Sequence, residues 1–208
     1  MAVSASNGVA RASARRWGLP LVVLAAVGPL ATGMYREVDV LAAGTVYTVD
    51  STGDQNDSNL GDGNCRTSVG TCTLRAAIRE ANYNSGHDRI EFDIPGGGPH
   101  TIRPDSAYAL ITDPSGVTID GYTQPGSSVN TLNHSSNAVI KIQLEGRGPT
   151  AFDGIDIRSG GGVVRGLALY DFRLHIRFWG PNANSNEVIG NFIGTNAALL
   201  VEVGSGLS

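Results

Sequence analysis

The charged residues on strand-like stretches are the first candidates for chemistry. Asp120, Asp153, Asp156 and Asp171, with Lys141, Arg158 and Arg165, are spread over the middle of the sequence. An enzyme that abstracts a proton needs a basic residue for it, beside carboxylates that hold a metal or an acidic substrate. Lys141, Asp120 and Asp156 are the set an enzymatic reading selects. A glycoside hydrolase needs two carboxylates at a set separation, which spacing along a chain does not define. Alternating strand residues face outward in any case, so charges are expected there without catalysis. His87, His100, His134 and His175 are scattered, and no Gly-x-Ser-x-Gly elbow occurs. The balance leans away from an enzyme.

Ligand chemistry has weaker signals. Asp50, Asp54, Asp57 and Asp62 lie in one polar loop and are candidate ligands for Ca²⁺, which takes about six to eight oxygens. The loop fails the EF-hand template, since Asn59 and Cys65 stand where Gly and Glu belong, and it also reads as a solvated turn. No other cofactor is indicated. Gly146-x-Gly-x-x-Ala151 imitates a dinucleotide fingerprint, but strand-like sequence follows where a helix should receive the phosphates. Tyr122, Phe172, Phe178 and Trp179 could line a sugar-stacking surface or fill a core. Asn56 and Asn133 head glycosylation sequons, relevant only in a eukaryotic source.

Residues 1–36 carry Arg11, Arg15, Arg16 and Arg36 and no acid, around an apolar run from Trp17 to Gly33. A basic stretch, an apolar stretch and small residues are the layout of an export signal. The run is interrupted by Pro20 and Pro29, and a transmembrane helix needs about 20 apolar residues, so a retained anchor is the second reading. Cleavage fits after Gly33 or, better, after Ala43, where strand-like sequence begins. Cys65 and Cys72 enclose six residues, and in an exported chain such a pair is expected to close a disulfide. In a cytosolic chain two free thiols would be the default.

The positioning elements read as follows. Leu74, Ala77, Ile78 and Ala81 fall at i, i+3, i+4 and i+7, one stripe of an amphipathic helix, with Arg75, Arg79 and Glu80 off it. Thr71 or Thr73 can cap its start, and Asn84 and Gly86 can end it. Everything beyond reads as short strands, at 90–94, 117–121, 139–146, 154–157, 163–169, 174–178 and 188–193. The turns are not the two-residue hairpins of antiparallel sheets, and an Ile/Val-x-Ile/Leu-x-Gly pattern recurs loosely. Both favour stacked coils of about 20–25 residues. Asn182, Asn184, Asn186, Asn191 and Asn196 fit turns whose side-chain amides bond along the stack. The chain has 208 residues, 28 of them Gly, with 41% hydrophobic and 16% charged residues. That apolar share excludes wholesale disorder, and a net charge of −4 argues against a dedicated nucleic-acid binder.

The segment from Gly61 to Asn82, with Cys72-Thr-Leu-Arg-Ala-Ala-Ile-Arg-Glu-Ala-Asn at its end, resembles the CSLREA signature of exported parallel β-helix proteins. Val117–Gly126 and Gly190–Asn196 look like coils that follow it. The resemblance implies an all-β, right-handed parallel β-helix of the pectin-lyase-like kind, its N-terminal end covered by the amphipathic helix. It divides the chain into an export segment (1–43), a region of first strand, acidic loop, disulfide loop and cap (44–98), and coils (99–208). It also leads one to expect more coils after Asn196, so the ending at Ser208 reads as a truncated or frame-shifted product. The function expected is a secreted or cell-surface protein with a structural, adhesive or carbohydrate-binding role, a polysaccharide or surface glycan being the partner. Contact with a membrane would come only through the N-terminal segment. A lyase or hydrolase fragment is the alternative.

Overall fold

Parallel strands dominate the computed structural model, which describes residues 43–199, all within one compact unit. The proposed export segment, apart from its last residue, lies outside the described residues, as does the stretch from Leu200 onward. The strands are β1 (Val46–Val49), β2 (Asp88–Phe92), β3 (His100–Ile102), β4 (Val117–Asp120), β5 (Ile142–Glu145), β6 (Ile155–Ile157), β7 (Val163–Arg165), β8 (Leu167–Tyr170), β9 (Ile176–Phe178), β10 (Glu187–Ile189) and β11 (Phe192–Ile193). One α-helix, α1 (Leu74–Ala81), interrupts them.

A first sheet has the order β1-β2-β4-β7-β10, a second β11-β8-β5-β3, and a third pairs β6 with β9. Every strand pair is parallel. Ile111 adds a parallel bridge to Ile157 at the edge of the third sheet. From β2 onward the chain therefore visits first, second and third sheets in rotation. Apolar residues stack on one another along each sheet. Tyr47, Ile90, Ile119, Val164 and Val188 form one row, and Ile102, Leu144, Leu169 and Ile193 another. Ile90, Ile102, Ile119, Leu144, Val164 and Leu169 are fully buried, each burial contributing ~1.5–3 kcal/mol.

Two stretches expected as single strands are pairs of strands in different sheets. The run 163–169 breaks at Gly166 (φ 71°) and the run 188–193 at Gly190 (φ 64°). A side chain at Gly166 would start 2.6 Å from the Tyr122 nitrogen, so the corner needs glycine for space as well as for its backbone. The asparagines also act differently from the expected amide stacks. Asn186 accepts from the Gly162 N–H, 24 residues earlier, and donates to the Ser159 carbonyl, 27 earlier. Asn191 repeats both separations with Leu167 and Val164. Each amide bonds the backbone of the preceding turn, holding a corner that regular pairing leaves unsatisfied.

Helix α1 starts at Thr73, whose side chain accepts from the Ala76 N–H at 3.1 Å, and ends at Asn82 rather than at the later residues expected. Its stripe of Leu74, Ala77, Ile78 and Ala81 is buried in the common core. Off that stripe, Arg75 and Glu80 are buried as well. Glu80 is fully buried and accepts from the Gly61 and Gly63 N–H groups at 2.8 and 2.7 Å. Arg75 makes a two-bond pair with Asp54 and also donates to the Ser106 and Ala107 carbonyls. The helix thus fastens the acidic loop while covering the core.

Replacing Ile78 by Asp puts an unpaired charge against that core and should cost a few kcal/mol. The variant is expected to aggregate or melt well below the parent. A soluble variant with unchanged melting temperature contradicts the cap.

Asp88 and Asp113 supply a pH test. Both are buried and each leaves one carboxylate oxygen unpartnered. Burial pushes both above the ordinary 3.8, and for Asp88 the Asp113 charge adds to it against the Thr45 N–H bond. A carboxyl raised on folding stabilises fully below its unfolded value, and that contribution is lost as pH rises through the folded one. Asp113→Asn, which keeps the acceptor for the Ser115 N–H, should raise the melting temperature at pH 7 by a few degrees. The gain should vanish below about pH 4. A lower melting temperature at pH 7 contradicts this.

Candidate functional site

The outer face of the third sheet gathers charge and aromatic surface. The register sets Asp156 of β6 beside Arg177 of β9, between the pairs Ile155–Ile176 and Ile157–Phe178. Arg158 and Trp179 follow directly on the two strands, and the Trp179 N–H donates to the Ile157 carbonyl at 3.1 Å. Asp153, just before β6, receives two hydrogen bonds from Arg173 at 2.8 Å and one from Arg177 at 3.0 Å. Asp156 receives two from Arg158, at 2.8 and 3.1 Å. Hydrogen bonds from Arg173 and then Arg177 hold the Asp153 carboxyl down to about 2. Asp153 is therefore held as an anion, and both aspartates orient guanidiniums through their hydrogen bonds.

Those guanidiniums lean on the indole. Arg177 stands 5.1 Å and Arg158 5.9 Å from the Trp179 ring centre, within cation–π range. Trp179 is nonetheless 58% exposed, so much of its ring meets solvent. Beside it opens a groove of about 600 Å³, lined by Arg158, Thr112, Ser115, Ser159, Asn182 and Asn184 among others. The lining mixes hydroxyl and amide groups with apolar surface in about equal share. Arg158 belongs to both the groove and the aromatic platform.

The residues named from sequence are only partly brought together. Asp153, Asp156 and Arg158 meet here, with Trp179. Asp120 ends β4 in the first sheet, buried, and binds Arg165 at 2.5 Å and Arg89 at 3.5 Å. Lys141 precedes β5 of the second sheet and donates to the Gly97 carbonyl at 3.0 Å. Lys141, Asp120 and Asp156 thus sit on three sheets with separate partners. Phe172 is core, Phe178 pairs in register with Ile157 but is exposed, and the Tyr122 hydroxyl donates to the Gly190 carbonyl. His87, His100 and His175 lie at separate places, and burial lowers the His175 value.

The four loop aspartates each have their own work. Asp50 accepts from the Cys72 N–H, Asp54 pairs with Arg75, Asp57 accepts from the Arg66 N–H, and Asp62 from Asn59 and Asn64. Among the described residues no group of three or more His, Cys, Asp or Glu is placed to hold a metal ion. Cys65 and Cys72 form the expected disulfide, with 5.2 Å between their Cα atoms.

Arg173 and Arg177 escaped the sequence reading. A signal for them existed, because Gly154-Ile-Asp-Ile-Arg158 laid over His175-Ile-Arg-Phe-Trp179 sets Asp156 against Arg177. No protein-family model, curated protein or solved structure matches the chain.

Proposed function

We propose that this chain is an exported or cell-surface right-handed parallel β-helix protein, similar to the CSLREA type, that binds a glycan on its third-sheet face. The rotation of strands among three parallel sheets, with a return every 24 residues at Asn186 and Asn191, supports the coil architecture. The disulfide and the basic-then-apolar N-terminal sequence support export. The observation that carries the binding reading is the exposed Trp179 ring, steadied by two arginines beside a groove that offers hydroxyls and amides along with apolar surface. A sugar ring offers one apolar face and a rim of hydroxyls, and this surface matches both. The polysaccharide lyase or hydrolase alternative draws no support from Lys141, Asp120 and Asp156, which have separate partners on separate sheets.

The test is affinity electrophoresis of the purified chain through gels containing neutral or charged polysaccharides. At least one polymer should retard the parent, and Trp179→Ala should bind at least about tenfold more weakly with an unchanged melting temperature. Retardation that ignores the Trp179 change, or none with any polymer, contradicts the proposal.

A further inference from the structure

The charge on this face is uneven in a way that selects among glycans. The chain as a whole carries −4, yet Arg158, Arg173 and Arg177 here meet only two carboxylates. Those carboxylates are already taken up. Asp153 accepts three guanidinium N–H bonds and Asp156 two, and both side chains are nine-tenths buried. The guanidiniums are not used up. Arg158 and Arg173 each spend Nε and one Nη2 hydrogen on an aspartate, which leaves Nη1 and the outer Nη2 hydrogen as a paired edge, and Arg177 spends only Nη1. Those remaining N–H groups have no partner among the described residues, and the arginine side chains keep between 27% and 55% of their surface exposed.

We infer that the ligand class is an acidic polysaccharide, whose sulfate or carboxylate groups are received by the free edges of Arg158, Arg173 and Arg177. The inference rests on the glycan-binding reading of the same face. Guanidinium edges offer paired donors at the spacing of two oxygens of a carboxylate or sulfate, and charge-assisted bonds of this kind are about twice as strong as neutral ones. The arginines are held before a ligand arrives, because each is anchored to a buried aspartate. Little side-chain freedom is then left to lose on binding. Arg177 and Arg158 flank the indole, so a sugar stacked on Trp179 would hold its ring substituents out toward them. Arg158 continues the contact into the groove, where Thr112, Ser115, Asn182 and Asn184 can meet uncharged hydroxyls. A nucleic acid would bring more charge than this small basic island matches, against a chain that is acidic overall.

The experiment compares four polymers with the full chain: dextran, dextran sulfate, polygalacturonate and a single-stranded DNA oligonucleotide, each at about 50 and 200 mM salt. The parent should bind dextran sulfate or polygalacturonate at least tenfold more tightly than dextran, and lose most of that advantage at the higher salt. The sulfate and uronate arms distinguish the two anions. Arg173→Gln should lower the acidic-polymer affinity at least fivefold and leave dextran binding unchanged, while Trp179→Ala lowers both. Equal binding of neutral and acidic polymers, still lost in Trp179→Ala, overturns the anionic class and leaves the glycan reading standing. Binding of no polysaccharide removes both. DNA bound as tightly as the acidic glycans overturns the inference in favour of a general polyanion site. The salt series on the parent decides the matter even where an arginine variant fails to fold.

Discussion

A parallel strand cannot be paired by its sequence neighbour through a tight turn, so its backbone partner must come from a chain that has made a long circuit and returned. Most of this structure follows from that constraint. Strands that return to the same three sheets in the same order place apolar side chains over apolar side chains, as in the row from Tyr47 to Val188. Corners must then recur at matched places. Gly166 and Gly190 turn the chain between the first and second sheets, and Asn186 and Asn191 tie each corner to the one before it. The same repetition aligns outward residues, which is how Asp156 comes to stand beside Arg177.

An open end of such a stack exposes core and unpaired backbone. At the β1–β2 end, helix α1 covers the core with one stripe and grips the acidic loop with the other side. Glu80 and Arg75 are buried there because they have full complements of partners, without which their charges would be prohibitive. Of the loop aspartates, Asp54 takes part in this fastening through its pair with Arg75. On the third sheet Asp153 and Asp156 hold arginines that keep part of their surface in solvent.

What could be read from sequence was whatever repeats at short range. The stripe Leu74, Ala77, Ile78, Ala81 declares a helix by itself, and Cys65 and Cys72 lie close enough to read as a pair. The burial of Glu80 was hidden, because its partners Gly61 and Gly63 lie 19 and 17 residues away in a loop without periodicity. The division of 163–169 into two strands was hidden for another reason. A glycine inside an apolar run marks a corner only when the neighbouring turn, here Tyr122, is known to press against it. The platform was half legible. Asp153, Asp156, Arg158 and Trp179 stand out by type, whereas Arg173 and Arg177 gain meaning only from the register.

That register is the central claim, and cross-linking tests it most directly. Val163 and Glu187 are partners on adjacent strands, while Ile189 lies two residues further along. Cysteines placed at Val163 and Glu187 should join under mild oxidation, because directly opposed positions fall within the ~4.4–6.8 Å Cα separation a disulfide requires. Cysteines at Val163 and Ile189 should not. Peptide mapping that finds both new disulfides with comparable yield, or only the offset one, would contradict the parallel in-register return on which the fold and the proposed binding face depend.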